Sequence, residues 1–151
     1  MTTDVLDSGT AVRACVFTLA REPFALDAAR VREVVVFDEW TTVPLAPPHV
    51  VGVANLRGEV VAITDGRALL GLPARRGGRR LPTLVVAAEG LEAALVVDEV
   101  VGLEAFTGVA SLEESGPQPH GRWALGFLAR DDRLVPLLDP ARLLRALREE
   151  R

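Results

Sequence analysis

His49 and His120 are the only imidazoles in the 151-residue chain, and each sits beside proline or glycine, in PPHV and PHGR. Neither has a second His or a Cys at ligand spacing, so a zinc site is not expected. Ser8, Ser111 and Ser115 fall in polar or terminal segments, away from any nucleophile elbow. Glu113-Glu114 and Asp131-Asp132 lie in turn-like segments, where adjacent carboxylates face solvent rather than act as an acid–base couple. GxGxxG and GxxxxGK[ST] are absent, which leaves nucleotide phosphates without a cradle. Cys15, the single cysteine, stands inside an apolar run and reads as a buried strand residue. No catalytic group, metal or cofactor is expected. The remaining chemistry belongs to arginine: Arg57 within NLRG, and Arg75, Arg76, Arg79 and Arg80 within LPARRGGRRLP. A guanidinium is a planar five-donor fork matched to carboxylates. A run of four could grip phosphate, but most such runs are solvated loops.

Strand signals dominate the segments that would carry these side chains. Candidate strands are Val12 to Leu19, Phe24 to Leu26, Val31 to Phe37, Val50 to Ala54, Gly58 to Thr64, Thr83 to Ala88, Leu91 to Val97, Val100 to Phe106, Trp123 to Ala129 and Leu134 to Leu138. Each is a short apolar, β-branched run bounded by Gly, Pro or charge, as in small barrels and sandwiches. Glu89-Gly90 and Arg130 to Arg133 read as hairpin turns. At the end of the chain Asp139 is a cap, Pro140 suits a first helical position, and Leu143, Leu144 and Leu147 form a stripe, predicting a helix over 139–149. A shorter version is expected at Asp65 to Leu72.

These elements repeat. Gly52 and Gly126, Asp65 and Asp139, and Leu69-Leu70 and Leu143-Leu144 are all separated by 74 positions. CVFTLAREPFALD and LVVAAEGLEAALVVD form an earlier matching pair. The reading is a mainly β protein of two similar halves, 13–73 and 82–138, joined at Leu72 to Pro82. The formal charge of −4 argues against general nucleic-acid affinity. No apolar run approaches the ~20 residues needed to cross a bilayer, and MTTDVLDSGT lacks the features of a signal peptide. A cytoplasmic chain, without membrane insertion, is expected. Two small halves cannot bury a composition that is 49% hydrophobic in private cores. Apolar surface should therefore lie between the halves or face another protein, which favours a binding module over a catalyst.

PPHVVGVANLRGEVVAITDGRALLGLP, residues 47–73, resembles the signature of CheW-like domains, coupling proteins of bacterial chemosensory arrays. FALDAARVREVV upstream and EAALVVDEVVGLEAF downstream are similar to two further family segments in the right order, so the likeness covers about 13–147. The resemblance implies two intertwined five-stranded SH3-like barrels with a C-terminal helix. It implies a non-catalytic adapter between a chemoreceptor tip, held in the groove between barrels, and the regulatory domain of a CheA-type histidine kinase. By the same resemblance Arg57 faces the receptor, Gly52, Asn55 and Gly58 shape its turn, and Val31 and Glu33 share its face. Without the resemblance, Arg57 could equally decorate a solvated turn beside Glu59. Gly66 stands where the family has Leu, and Ala62 and Thr64 replace a Pro and an apolar residue, departures expected to alter what docks there. The alternative is a nucleic-acid-binding SH3-like or OB-like module working through Arg75, Arg76, Arg79 and Arg80. A small-ligand barrel lacks a convergent polar cluster.

Overall fold

A computed structural model describes residues 11–74 and 80–149. Every candidate run forms a strand: β1 (Ala11–Leu19), β2 (Glu22–Asp27), β3 (Val31–Val35), β4 (Val50–Leu56), β5 (Glu59–Asp65), β6 (Thr83–Ala88), β7 (Leu91–Val96), β8 (Glu99–Thr107), β9 (Ala124–Arg130) and β10 (Arg133–Leu138). Among the described residues three α-helices accompany them: α1 (Gly66–Leu69), α2 (Leu112–Ser115) and α3 (Pro140–Glu149). Tight hairpins join β1 to β2 and β6 to β7. Their loop residues Ala20, Arg21, Glu89 and Gly90 all take positive φ, between 51° and 76°, the twist that two-residue hairpins favour.

The strands form two five-stranded sheets, with orders β8-β1-β2-β10-β9 and β3-β6-β7-β5-β4. Numbering β6–β10 as a second set of five, both orders follow one scheme, in which strands one and two of one set join strands three, four and five of the other. Each sheet contains one parallel contact, β2 with β10 (Ala25↔Leu137) and β5 with β7 (Ile63↔Ala94). Isolated bridges Thr41↔Val53 and Ala110↔Phe127 also correspond, Val53 and Phe127 standing 127 − 53 = 74 positions apart. The 74-residue echo is thus a repeat of structure. A division into 13–73 and 82–138 nevertheless cuts across both sheets. Similar local patterns reveal which segments are alike, and hydrogen-bond partners are chosen over long range. Neither sheet closes into a barrel by backbone pairing: β3 and β4 are the edges of one sheet, β8 and β9 of the other.

The largest cluster of buried side chains lies where the sheets meet. Phe17, Leu19, Phe24 and Leu26 from one sheet pack with Leu84, Val86 and Leu95 from the other, together with Leu69, Leu70, Trp123, Leu138 and Leu143. Phe17 and Phe24 stack with centroids 6.2 Å apart. Each fully buried side chain of this size contributes roughly 1.5–3 kcal/mol, so much of the apolar surplus is spent between the sheets. Smaller clusters line each sheet separately, around Val16, Leu128 and Val135 in one and around Val61 and Ile63 in the other.

Polar contacts tie the same junction. The Asp98 carboxylate, just after β7, accepts hydrogen bonds from the Ala20 amide at 2.7 Å and from Arg67 Nη2 at 2.7 Å, while its amide donates to the Thr18 carbonyl at 3.0 Å. Asp98 and desolvation act in opposite directions on Arg67, and the hydrogen bond wins, raising the guanidinium above its ordinary range. Arg67 stands in the first turn of α1, which is capped by Asp65 (Arg67 N to Oδ1, 3.0 Å). In α3 the cap is Asp139, accepting from Ala141 N at 3.0 Å, and Leu143 and Leu144 are buried; the Leu147 side chain lies outside the described residues. A Cβ on Gly66 would come within 2.8 Å of the Val96 carbonyl oxygen and 3.0 Å of Leu19 Cδ2. Gly66 and Thr64 are both buried, and Thr64 lies with Ala62 in the lining of a groove beside Val43, Pro47 and Leu91.

Candidate functional site

The site begins with a turn. Leu56 pairs with Glu59 at the end of the β4–β5 ladder, leaving Arg57-Gly58 as a two-residue loop with φ of 53° and 88°. Both positive angles define the turn that normally selects Asn-Gly. Gly58 takes its angle without strain, and its amide donates to Asn55 Oδ1 at 2.9 Å. Leu56 packs against the Ala54, Val61 and Ile63 cluster, which anchors the loop from behind. Arg57, by contrast, carries a side chain in a conformation costing about 1 kcal/mol. Gly52 plays a different part from the one expected. It lies within β4, where a Cβ would meet the Thr41 carbonyl oxygen at 2.4 Å. Glycine there admits the close pairing of the 41 segment with β4 and does not shape the turn.

Arg57 and Glu33 come together. Arg57 donates from Nη2 to Glu33 Oε1 at 2.6 Å and from Nη1 to Oε2, a bidentate pair. The hydrogen bonds to Glu33, then its charge, raise the Arg57 pKa above its usual value. Glu33 is on β3 and Arg57 on the β4–β5 tip, so the pair spans the two edges of one sheet. Arg57 remains 72% exposed while Glu33 is 21% exposed. The partner is therefore Glu33, 24 residues away, rather than the adjacent Glu59. Val31, two residues before Glu33 on β3, packs against the shared core instead of meeting Arg57.

An open groove of about 680 Å³ adjoins this pair, lined by Val36, Phe37, Trp40, Val53, Asn55 and Val60 among others. Val60 is 72% exposed, and Val34, Val36 and Trp40 are also exposed. The groove runs between the 36–41 segment and β4–β5, within one sheet. It is not between the two sheets, whose facing sides are filled by the shared core. Sequence reasoning missed this wall. Its available signal was Trp40, a large aromatic in the otherwise polar DEWTT. Of the alternative arginine cluster, Arg75, Arg76 and Arg79 lie outside the described residues, and Arg80 is paired with Asp38.

The CheW-like domain model matches residues 13–148. The chain belongs to the CheW-like domain family. Among curated relatives, the chemotaxis protein CheW of Rhizobium meliloti (strain 1021) is 30% identical over 133 residues, covering 82% of this chain and 81% of its own. That of Bacillus subtilis (strain 168) is 29% identical over 90 residues, covering 60% and 58%. Among solved structures, the scaffolding protein TtCheW from Thermoanaerobacter tengcongensis superposes with a TM-score of 0.77 at 24% identity, over 86% of this chain and 90% of that one. The CheW-like fold is therefore shared well beyond the NLRG segment. Among the described residues, no helix is long and apolar enough to cross a membrane, and no group of three or more His, Cys, Asp or Glu could hold a metal ion.

Proposed function

We propose that this CheW-like chain is a non-catalytic adapter that couples the cytoplasmic tip of a chemoreceptor to the regulatory domain of a CheA-type histidine kinase, in the cytoplasm beneath receptor arrays. Family membership and relatives named for chemotaxis support the pathway. In this reading residues 13–147 act as one domain, each five-stranded sheet takes the SH3-like form of the family, and Arg57, Glu33, Asn55 and Gly58, with Gly52 and Val31 behind them, make the receptor-facing site. The observation that carries it is the exposed Arg57 fork, held by Glu33 at a strained turn beside an open groove that mixes Val36, Trp40 and Val60 with Asp38 and Glu39. Glu33 pre-orients the guanidinium, so little side-chain entropy is lost on docking. The unused N–H groups of the fork can then meet carboxylates or helix-end carbonyls, and Val60, Val36 and Trp40 supply apolar contact. Holding both partners raises their effective concentration. A signal then passes as a difference in binding energy between kinase-on and kinase-off arrangements.

The test is Arg57→Glu in co-sedimentation with receptor-bearing membranes and kinase. Receptor association is expected to fall while the melting curve is preserved. Unchanged association with an unchanged melting curve would remove Arg57 from the interface.

A further inference from the structure

Most arginines in the described residues have work to do. Arg32, Arg57, Arg67, Arg80, Arg130, Arg142 and Arg145 each face an acid, and Arg122 lies 4.7 Å over the Trp123 ring. Arg21 and Arg133 have no acid partner among the described residues, and both line one groove of about 290 Å³. This groove is in the other sheet from Arg57, between the β1–β2 tip, the 118–120 loop and β10. Its apolar lining is Pro23, Pro119, Phe127, Leu134 and Pro136. The only acid lining it, Glu22, is engaged with His120 at 3.3 Å, whose ring also packs edge-on against Phe24 at 5.1 Å. That loop is therefore held in place, and the groove presents two free cations over a proline-rich floor.

We propose that this groove binds an acidic protein segment that places an apolar residue on the Leu134–Pro136 floor and carboxylates beside Arg21 and Arg133. Charge complementarity selects the occupant. The cations flank apolar rings, which suits alternating acidic and apolar side chains. A nucleic acid would want a basic track with exposed aromatic stacking surfaces, whereas Phe127 is fully covered, the His120 ring is packed against Phe24, and the chain as a whole is anionic. β10 is already paired on both sides, with β2 and β9, so the segment docks by side chains and does not extend the sheet. This site is independent of the Arg57 reading.

The test uses the whole chain and a fluorescein-labelled peptide carrying Leu-Phe between flanking Asp-Glu pairs, followed by fluorescence anisotropy. Saturable binding that weakens with salt is expected. Arg21→Asn with Arg133→Gln should weaken it about tenfold, two exposed charge pairs at most being removed; Asn suits the φ of 69° at position 21, so folding is preserved. Leu134→Ser should weaken binding without changing its salt dependence. Arg13→Gln, elsewhere on β1, should leave it unchanged. Equal binding by the double variant, no saturable binding, or equally tight binding of labelled oligothymidylate would each overturn the proposal.

Discussion

Arg57-Gly58 joins β4 to β5, and Asp131-Asp132 joins β9 to β10, at equivalent places 74 positions apart. Both first loop residues take positive φ, 53° at Arg57 and 56° at Asp131. Both tips also stand beside an ion pair that links the outer strands of their sheet: Arg57 with Glu33 in one, Arg130 with Glu104 at 3.1 Å in the other. The difference is where the cation sits. Arg130 reaches its acid from the end of a regular strand and is 36% exposed, leaving the strained position to aspartate, which tolerates it. Arg57 occupies the strained position itself and keeps twice the exposure. An edge-linking ion pair can thus be made without placing arginine at the tip. Its presence at the β4–β5 tip runs against local turn preference, as does that of Arg21, with φ of 69°, at the β1–β2 tip.

The largest expected effect tests whether the two sheets are separable at all. Phe24→Ala, in the shared core, should cost about 3–5 kcal/mol and lower stability in both sheets together. In urea, fluorescence from Trp40, in the groove of one sheet, and from Trp123, in the common core, should change at the same midpoint when followed in single-tryptophan variants. Separate midpoints would make the halves independent.

A smaller effect distinguishes two acids at the ends of corresponding strands. Asp98→Ala removes the link between the β1–β2 turn and Arg67, half-buried at the junction, and should cost about 1–3 kcal/mol. Asp27 is the last residue of β2 and only caps the next turn, accepting from Ala29 N at 2.9 Å. Asp27→Ala should therefore cost about 1 kcal/mol or less. Denaturant midpoints compare the two, and equal losses would deny Asp98 its role as a tie.

The smallest effect on stability carries the sharpest functional meaning. Arg57→Asn should leave stability unchanged or raise it by up to about 1 kcal/mol, since Asn suits the turn, while receptor association falls. Arg130→Ala should lower stability by less than about 1 kcal/mol and leave association intact. Melting curves run beside co-sedimentation separate these outcomes.

Much of the architecture was legible in the sequence. Ten apolar runs bounded by Gly, Pro and charge all became strands, Asp139-Pro140 opened α3, and the offset of 74 marked a true repeat. The exchange of strands between repeats was not legible, because each ladder joins segments that no local pattern connects. The site shows the same limit. NLRG revealed the turn and its arginine, but Glu33 acts on Arg57 across a curled sheet, and the glycine at position 52 answers to the backbone at Thr41. Groove residues such as Val36 and Val60 read as ordinary strand positions until the sheet edges were placed beside each other.

The arrangement of strands also sets a timetable for synthesis. All of β3 to β7 has been made once residue 96 emerges, so that sheet can assemble while translation continues. β1 and β2 leave the ribosome first, yet their neighbours β8 and β10 come last, and at ~5–20 residues per second the opening hairpin waits seconds with both edges bare. Of the ten strands, the pair made earliest is the one that waits longest with its edges unpaired.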